Sequence, residues 1–266
     1  MINAAVLGSP ISHSLSPKIH KKAYELLGLD SAYTAIEVTE ESFPNFYQAL
    51  NSNGEYSGWS GFSLTMPLKE IVLEYCANSD SITRSIDSGN TLFKSEGVWK
   101  VTSTDYFAFE NLLKVSKNSK VAIIGGGGTA RAAIGALNSK VETVDVLLRS
   151  ESRIAGLVKA APEVRVNPFE MGHALNNYDL VIQTTPAGVF DQYVSNTEKA
   201  KGVLLEALYK PLPTNLAKHY ESLGGHVISG KELLVEQALF QIELFTGSKF
   251  DFSEMRRELL SVIASD

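Results

Sequence analysis

The sequence predicts an α/β fold of two domains with largely parallel sheets, and three observations carry that expectation. Short apolar runs alternate with segments of helical period along almost the whole chain. Four consecutive glycines at 125–128 stand between one such run and a helical segment. From Lys120 onward regular strand–turn–helix units take over, and the domain change is placed at 103–105, where no Pro/Gly/Ser-rich linker intervenes.

Taken in order, residues 4–7 read as a first strand. Ser16 and Pro17 supply an N-cap and a first-turn proline for a helix on which Ile19, Ala23, Leu26 and Leu27 recur at helical spacing, and Gly28 ends it. Residues 33–38 give a second strand and 41–50 a helix. Residues 61–65 are a strand, with Pro67 and Lys69 opening the next helix. A hairpin follows, 90–93 and 98–102 around Glu96-Gly97, and then a helix over 105–115. The second half offers strands at 121–124, 144–148, 164–166, 180–184 and 203–205, with a helix over 129–137 after the glycines. Helices over 231–245 and 253–264 close the chain.

Composition narrows the function classes. A chain of 266 residues can bury two cores, and a formal charge of −6 argues against nucleic-acid binding, which calls for a basic stripe. The single cysteine, Cys76, permits no internal disulfide, which fits a reducing cytoplasm. No apolar run approaches the ~20 residues of a membrane span, and the start lacks the basic segment of a signal peptide. A cytoplasmic protein, without membrane or metal, is expected.

Glycines between a buried strand and a helix start let the chain turn tightly. They also let a pyrophosphate approach the helix N–H groups. Gly125, Gly126, Gly127, Gly128, Thr129 and Ala130 are therefore candidate dinucleotide ligands, although Ala130 replaces the third glycine of the usual spacing. The end of the second strand selects the cofactor. An acid there would bind the ribose of NAD, but Leu148 holds that position and Asp145 lies three residues too early. Arg149 is placed to pair with the 2′-phosphate of NADP, with Ser150 and Arg153 beside it.

In the first half, Ser14 and Ser16 flank a helix start, where hydroxyls and backbone N–H groups suit a carboxylate and where plain capping is the competing reading. Thr65 and Lys69 surround another helix start, an unfavourable place for a cation that suits a proton-transfer lysine; a solvated surface charge is the alternative. Gln237 falls on the stripe Leu233, Gln237, Phe240, Leu244, where helical period predicts burial, so its amide braces the fold or faces a polar ligand.

Together these residues resemble the shikimate dehydrogenase family over nearly the whole chain. The matching pieces are Ser14 to Pro17, Thr65 to Lys69, Asn90-Thr91, Thr104-Asp105, the glycines, Thr185 to Gly188, Tyr209 to Thr214 and Gly230 to Gln237. The resemblance implies a substrate domain of 1–103 plus 232–266 and a Rossmann-type NADP domain of 104–231. It implies Lys69 and Asp105 as catalytic residues, and Ser14, Ser16, Thr65, Asn90, Tyr209 and Gln237 as substrate ligands. Thr185, Gly188 and Gly230 join the cofactor site. The implied activity is NADPH-dependent, reversible reduction of 3-dehydroshikimate to shikimate by a monomer or homodimer. A paralogue acting on quinate or an amino analogue, with NAD, and a catalytically weak shikimate/NADP-binding module are the alternatives. Departures from the family pattern are Ser63 and Ser103 where amides are common, Lys231-Glu232 within the last motif, and Leu148-Arg149-Ser150 in place of Asn-Arg-Thr.

Overall fold

Two sheets organise the chain in the computed structural model, which describes residues 1–52 and 54–266. The first unit comprises Met1–Arg84, Ser88–Thr104 and Val235–Asp266; the second comprises Ser85–Asp87 and Asp105–Leu234.

In the first unit the sheet order is β2-β1-β3-β4-β5, from β1 (Ile2–Gly8), β2 (Ser31–Glu37), β3 (Gly61–Leu64), β4 (Thr91–Ser95) and β5 (Val98–Thr102). The first three strands run parallel, while β4 and β5 return antiparallel through the expected hairpin. Glu96 and Gly97, with φ of 54° and 79°, make the left-handed corner that such a tight turn requires.

Strand alternation sorts this sheet into two unlike faces. Ala5, Leu7, Phe62, Leu64 and Leu92 join Trp99 and residues of α2 (Phe43–Leu50) and α3 (Leu68–Tyr75) in one apolar core. The intervening residues Tyr33, Gly61, Ser63 and Thr91 point the other way, toward α1 (Ser16–Leu26) and α9 (Gly230–Thr246). Gly61 is required there, since a Cβ would sit 2.2 Å from the Phe245 ring. The last helix, α10 (Phe252–Val262), is bolted to α9 by a bidentate pair: Arg256 donates to buried Glu236 at 2.6 and 2.9 Å.

The second unit carries a six-stranded sheet of order β11-β10-β9-β6-β7-β8. Its strands are β6 (Val121–Ile124), β7 (Thr143–Leu148), β8 (Arg165–Glu170), β9 (Leu180–Gln183), β10 (Val203–Glu206) and β11 (His226–Ile228). Every pairing in it is parallel. This is the doubly wound order, with β6 and β9 flanking the point where the winding reverses. Both faces are covered, so the central strands are apolar throughout: Val121, Ile123, Val144 and Val146 enter one core, Ala122, Ile124 and Leu147 the other. Arg131, on α6 (Gly128–Leu137), is 4% exposed and donates to the carbonyls of Ile86 and Asp87 at 2.8 and 2.7 Å. It thereby ties the short Ser85–Asp87 segment into this unit.

Several expectations need correction. Ser16 is not the N-cap of α1: Leu15 holds that position, the helix begins at Ser16, and the Ser16 N–H donates to Ser14 Oγ at 3.3 Å. Of the stripe expected on α9, Leu233 and Gln237 are buried as predicted, but Phe240 and Leu244 are partly exposed and Val235, Glu236, Ala238, Leu239 and Gln241 are buried off the stripe. The strand at 164–166 runs instead over Arg165–Glu170; as a sheet edge it tolerates Pro168 and polar residues. Helices α4 (Ser81–Ile86), α7 (Ile154–Ala160) and α8 (Asn215–Ser222) and strand β11 lay outside the sequence reading. Among the described residues no helix is long and apolar enough to cross a membrane.

Candidate active site

In the first unit the sheet's polar face, α9 and two helix starts carry the candidate substrate residues other than Tyr209. Ser14 lies in the turn before α1 and Ser16 is the first helical residue. Thr65 and Lys69 bracket the start of α3. The Lys69 carbonyl accepts from Gly89 N–H at 2.8 Å, and Leu64 N–H donates to the Asn90 carbonyl at 2.7 Å. These main-chain bonds seat the lysine helix directly against the Asn90 segment.

Asn90, 2% exposed, is fixed by what it accepts. Its Oδ1 takes Thr104 N–H at 2.6 Å, the Thr91 hydroxyl at 3.0 Å and the Thr104 hydroxyl at 3.1 Å. Its Nδ2 donates to Gln237 Oε1 at 3.3 Å. Asn90 and Gln237 thus meet across 147 residues of sequence, and three donors converge on the Asn90 oxygen.

Sequence reasoning missed Gln241, one turn after Gln237. It accepts from Ser63 Oγ at 2.6 Å and donates to Thr91 Oγ1 at 3.0 Å and to the Asn90 carbonyl at 3.3 Å. Tyr33 donates to Ser63 at 2.6 Å, and His20 stacks on Tyr33 with ring centroids 4.0 Å apart. Burial holds the His20 imidazole neutral, with its pKa lowered to about 3, and pushes the Tyr33 phenol well up. Two signals could have found this group: the i, i+4 glutamine pair on α9, and the alternation that sends Ser63 and Thr91 to one face. Ser103 is buried with a hydroxyl that has no hydrogen-bond partner.

In the second unit the glycine loop closes the switch point. Gly125 has φ +111°, and a Cβ there would lie 2.5 Å from Thr184 Oγ1; at Gly126 it would lie 2.8 Å from both Leu148 and Arg153. At Gly127, the N-cap of α6, a Cβ would meet nothing within 4 Å, so the N-terminal end of that helix is open. A narrow glycine floor beneath an open helix N-terminus fits a pyrophosphate. Thr129 and Ala130 lie in the first turn of α6.

Arg149 and Ser150 follow β7 and are exposed, as is Arg153, whose aliphatic stem lies over Gly126. Asp145 is held away from that end of the strand, accepting from Tyr178 at 2.6 Å and Asn167 at 2.9 Å. Thr185 donates to Gln183, and Gly188 turns the following loop with φ +81°. Tyr209 stands in the loop after β10, which buried Glu206 secures by accepting from Thr214 at 2.8 Å. Burial raises the Glu206 carboxyl to about 7. Gly230 opens α9, and Asp105, 6% exposed, is the first residue of this unit after Thr104. Where Lys231 and Glu232 depart from the family pattern the chain has built a capping box: Ser229 Oγ accepts from Lys231 N–H, and Glu232 reaches back to Ser229 N–H at 3.0 Å.

Residues 6–92 match the family model described as the shikimate dehydrogenase substrate binding domain. Among curated relatives, the NADP(+) shikimate dehydrogenase of Exiguobacterium is 30% identical over 94% of this chain and 95% of its own. Among solved structures, shikimate dehydrogenase from Mycobacterium tuberculosis is 32% identical with a TM-score of 0.87, covering 98% of this chain and all of its own. The Thermus thermophilus enzyme, solved in complex with NADP(H) and shikimate, is 26% identical with a TM-score of 0.84 over 99% of this chain and 100% of its own.

Proposed function

The chain belongs to the shikimate dehydrogenase family, and on that premise we propose that it catalyses the NADPH-dependent, reversible reduction of 3-dehydroshikimate to shikimate. The observation that carries this reading is the buried Asn90–Thr104–Gln237 cluster, main-chain-bonded to the lysine helix and built to meet a polyhydroxylated ring.

Each residue then has a definite task. Ser14 accepts from the Ser16 N–H, which leaves its own proton to donate to the substrate carboxylate beside the α1 N-terminus. Asn90, Thr65, Gln237 and Tyr209 supply the polar contacts to the ring hydroxyls. Bound NADPH supplies hydride to the ring ketone. The Lys69 ammonium stabilises the oxygen as negative charge grows on it and then transfers its proton there. Asp105 orients the lysine and the neighbouring hydroxyl. The backbone of residues 125–128 holds the pyrophosphate, with Thr129, Ala130, Thr185, Gly188 and Gly230 lining the dinucleotide. Arg149, Ser150 and Arg153 take the 2′-phosphate, and Asp145, engaged with Tyr178 and Asn167, supplies no ribose acceptor.

The test is a steady-state assay of NADPH consumption with 3-dehydroshikimate, run beside quinate, an amino analogue and NAD. The reading requires 3-dehydroshikimate with NADPH to give the highest kcat/KM. Preference for another ring, or shikimate binding without turnover, would sink it.

A further inference from the structure

We infer that Gln241 is a positioning residue that sets the hydrogen-bond polarity of the substrate-hydroxyl site. This deepens the reading above and rests on it.

Gln241 is 1% exposed and its carboxamide is fully engaged. Nε2 donates to the Asn90 carbonyl and to Thr91 Oγ1, while Oε1 faces Ser63 Oγ at 2.6 Å and His20 Nε2 at 3.3 Å. The amide has one workable orientation. A backbone carbonyl can only accept, so the nitrogen must lie on Asn90 and the oxygen on Ser63 and His20. That choice places the imidazole proton on Nε2, leaving Nδ1 to accept from the Tyr24 hydroxyl 3.3 Å away. It also directs the Ser63 proton to Gln241 while Ser63 accepts from Tyr33.

Two consequences for recognition follow. Ser63 stands where the family commonly offers an amide, but its one proton is engaged inside the fold, so it has none to give a substrate. The amide that organises this face is supplied by Gln241 instead. It acts through Asn90, holding its carbonyl directly and its side chain by way of Thr91, which reaches Asn90 Oδ1 at 3.0 Å and Thr104 at 3.0 Å. Strand register makes this possible: Ser63 and Thr91 are directly paired neighbours on β3 and β4, within reach of one side chain from α9. The hydrogen bonds of Gln241 end on Asn90, Thr91, Ser63 and His20 rather than on Lys69. Its loss should therefore weaken substrate binding more than the chemical step.

The test is Gln241→Met, which keeps the volume and removes all four hydrogen bonds, together with Thr91→Val and Thr91→Ser. Each is read by shikimate calorimetry, initial rates, NADP affinity and thermal unfolding. The expected result for Gln241→Met is a rise in shikimate Kd and KM of about tenfold or more. Its kcat should stay within about threefold of the parent, and NADP affinity within about twofold. Thr91→Val should shift KM in the same direction, and Thr91→Ser, which retains the hydroxyl, should restore it. If Gln241→Met does not fold, the Thr91 pair decides the matter alone. A folded Gln241→Met with shikimate Kd and KM close to the parent values overturns the inference, as does a Thr91→Val that behaves like Thr91→Ser. Either result leaves the proposed activity standing. A parent protein that neither binds nor turns over shikimate overturns that activity and the inference with it.

Discussion

One face of the first unit's sheet carries Tyr33, Ser63 and Thr91 and meets its helix through a glutamine, whereas both faces of the second unit's sheet are apolar. The first site is made of side-chain groups that hold one another, gathered from Ser14 to Gln241. The pyrophosphate part of the second is made mostly of backbone, within a single strand–turn–helix of consecutive residues. Deleting a functional group should therefore injure the first site most, and adding volume should injure the second.

The largest effect expected from that contrast is at Lys69. Lys69→Ala should lose roughly 10²–10⁴-fold in kcat, the usual contribution of a positioned general acid, with thermal unfolding and NADP affinity little changed. Near-full activity would remove the lysine from the mechanism.

The two units should also respond oppositely to pH. His20 stays neutral in the fold, with its pKa at about 3 against an ordinary 6.5, so the unfolded chain binds the extra proton. Its contribution is complete above pH 6.5 and is lost as pH falls through that window. Glu206 is raised from 4.5 to about 7 by burial, so its contribution is complete below pH 4.5 and is lost as pH rises toward 7. Each limb should slope by at most about 1.4 kcal/mol per pH unit. Denaturant unfolding across pH should lose the acid limb in His20→Gln and the neutral limb in Glu206→Gln; unchanged slopes would refute the assignment.

Added volume comes next. Gly125→Val forces a β-branched residue to φ +111° and into Thr184, which should cost about 1–3 kcal/mol of stability and visibly weaken NADP binding. At the exposed edge, Arg149→Ala should weaken NADP about tenfold and leave NAD affinity unchanged; equal loss for both would move the 2′-phosphate elsewhere. The smallest effect belongs to Ser103. Removing its unpartnered buried hydroxyl as Ser103→Ala should be neutral or stabilising by up to about 1 kcal/mol in a melting experiment.

The same contrast explains what could be read in the sequence. The glycine turn and its flanking strands are legible because all the information lies within about one supersecondary unit. The reading of Asp145 as too deep agrees with its bonds to Tyr178 and Asn167. In the first unit, Asn90 and Gln237 are recognisable only as members of an ordered family pattern, since their partnership spans 147 residues. Gln241 escaped because it belongs to no such motif and because the stripe assigned to α9 held only at Leu233 and Gln237; a helix buried well beyond one stripe gives little periodic signal to follow. The N-cap expected at Ser16 failed because the helix starts at that residue itself: Leu15 holds the cap position and the Ser16 N–H donates to Ser14 Oγ. Strand β8 was shortened because an exposed edge tolerates a sequence that reads as loop.

The Arg131 clamp on Ile86 and Asp87 bears on modularity. Residues 105–234 look like a cassette that could be cut out and grafted, yet Ile86 belongs to their core, and a Cβ added at Gly135 would lie only 2.6 Å from its side chain. A fragment spanning 105–234 alone would leave a buried guanidinium without its two carbonyl acceptors and an apolar hole where Ile86 had been. The dinucleotide-binding half is thus a unit of contact but not a unit of sequence: any transplant must bring along three residues that the chain places nearly twenty positions earlier.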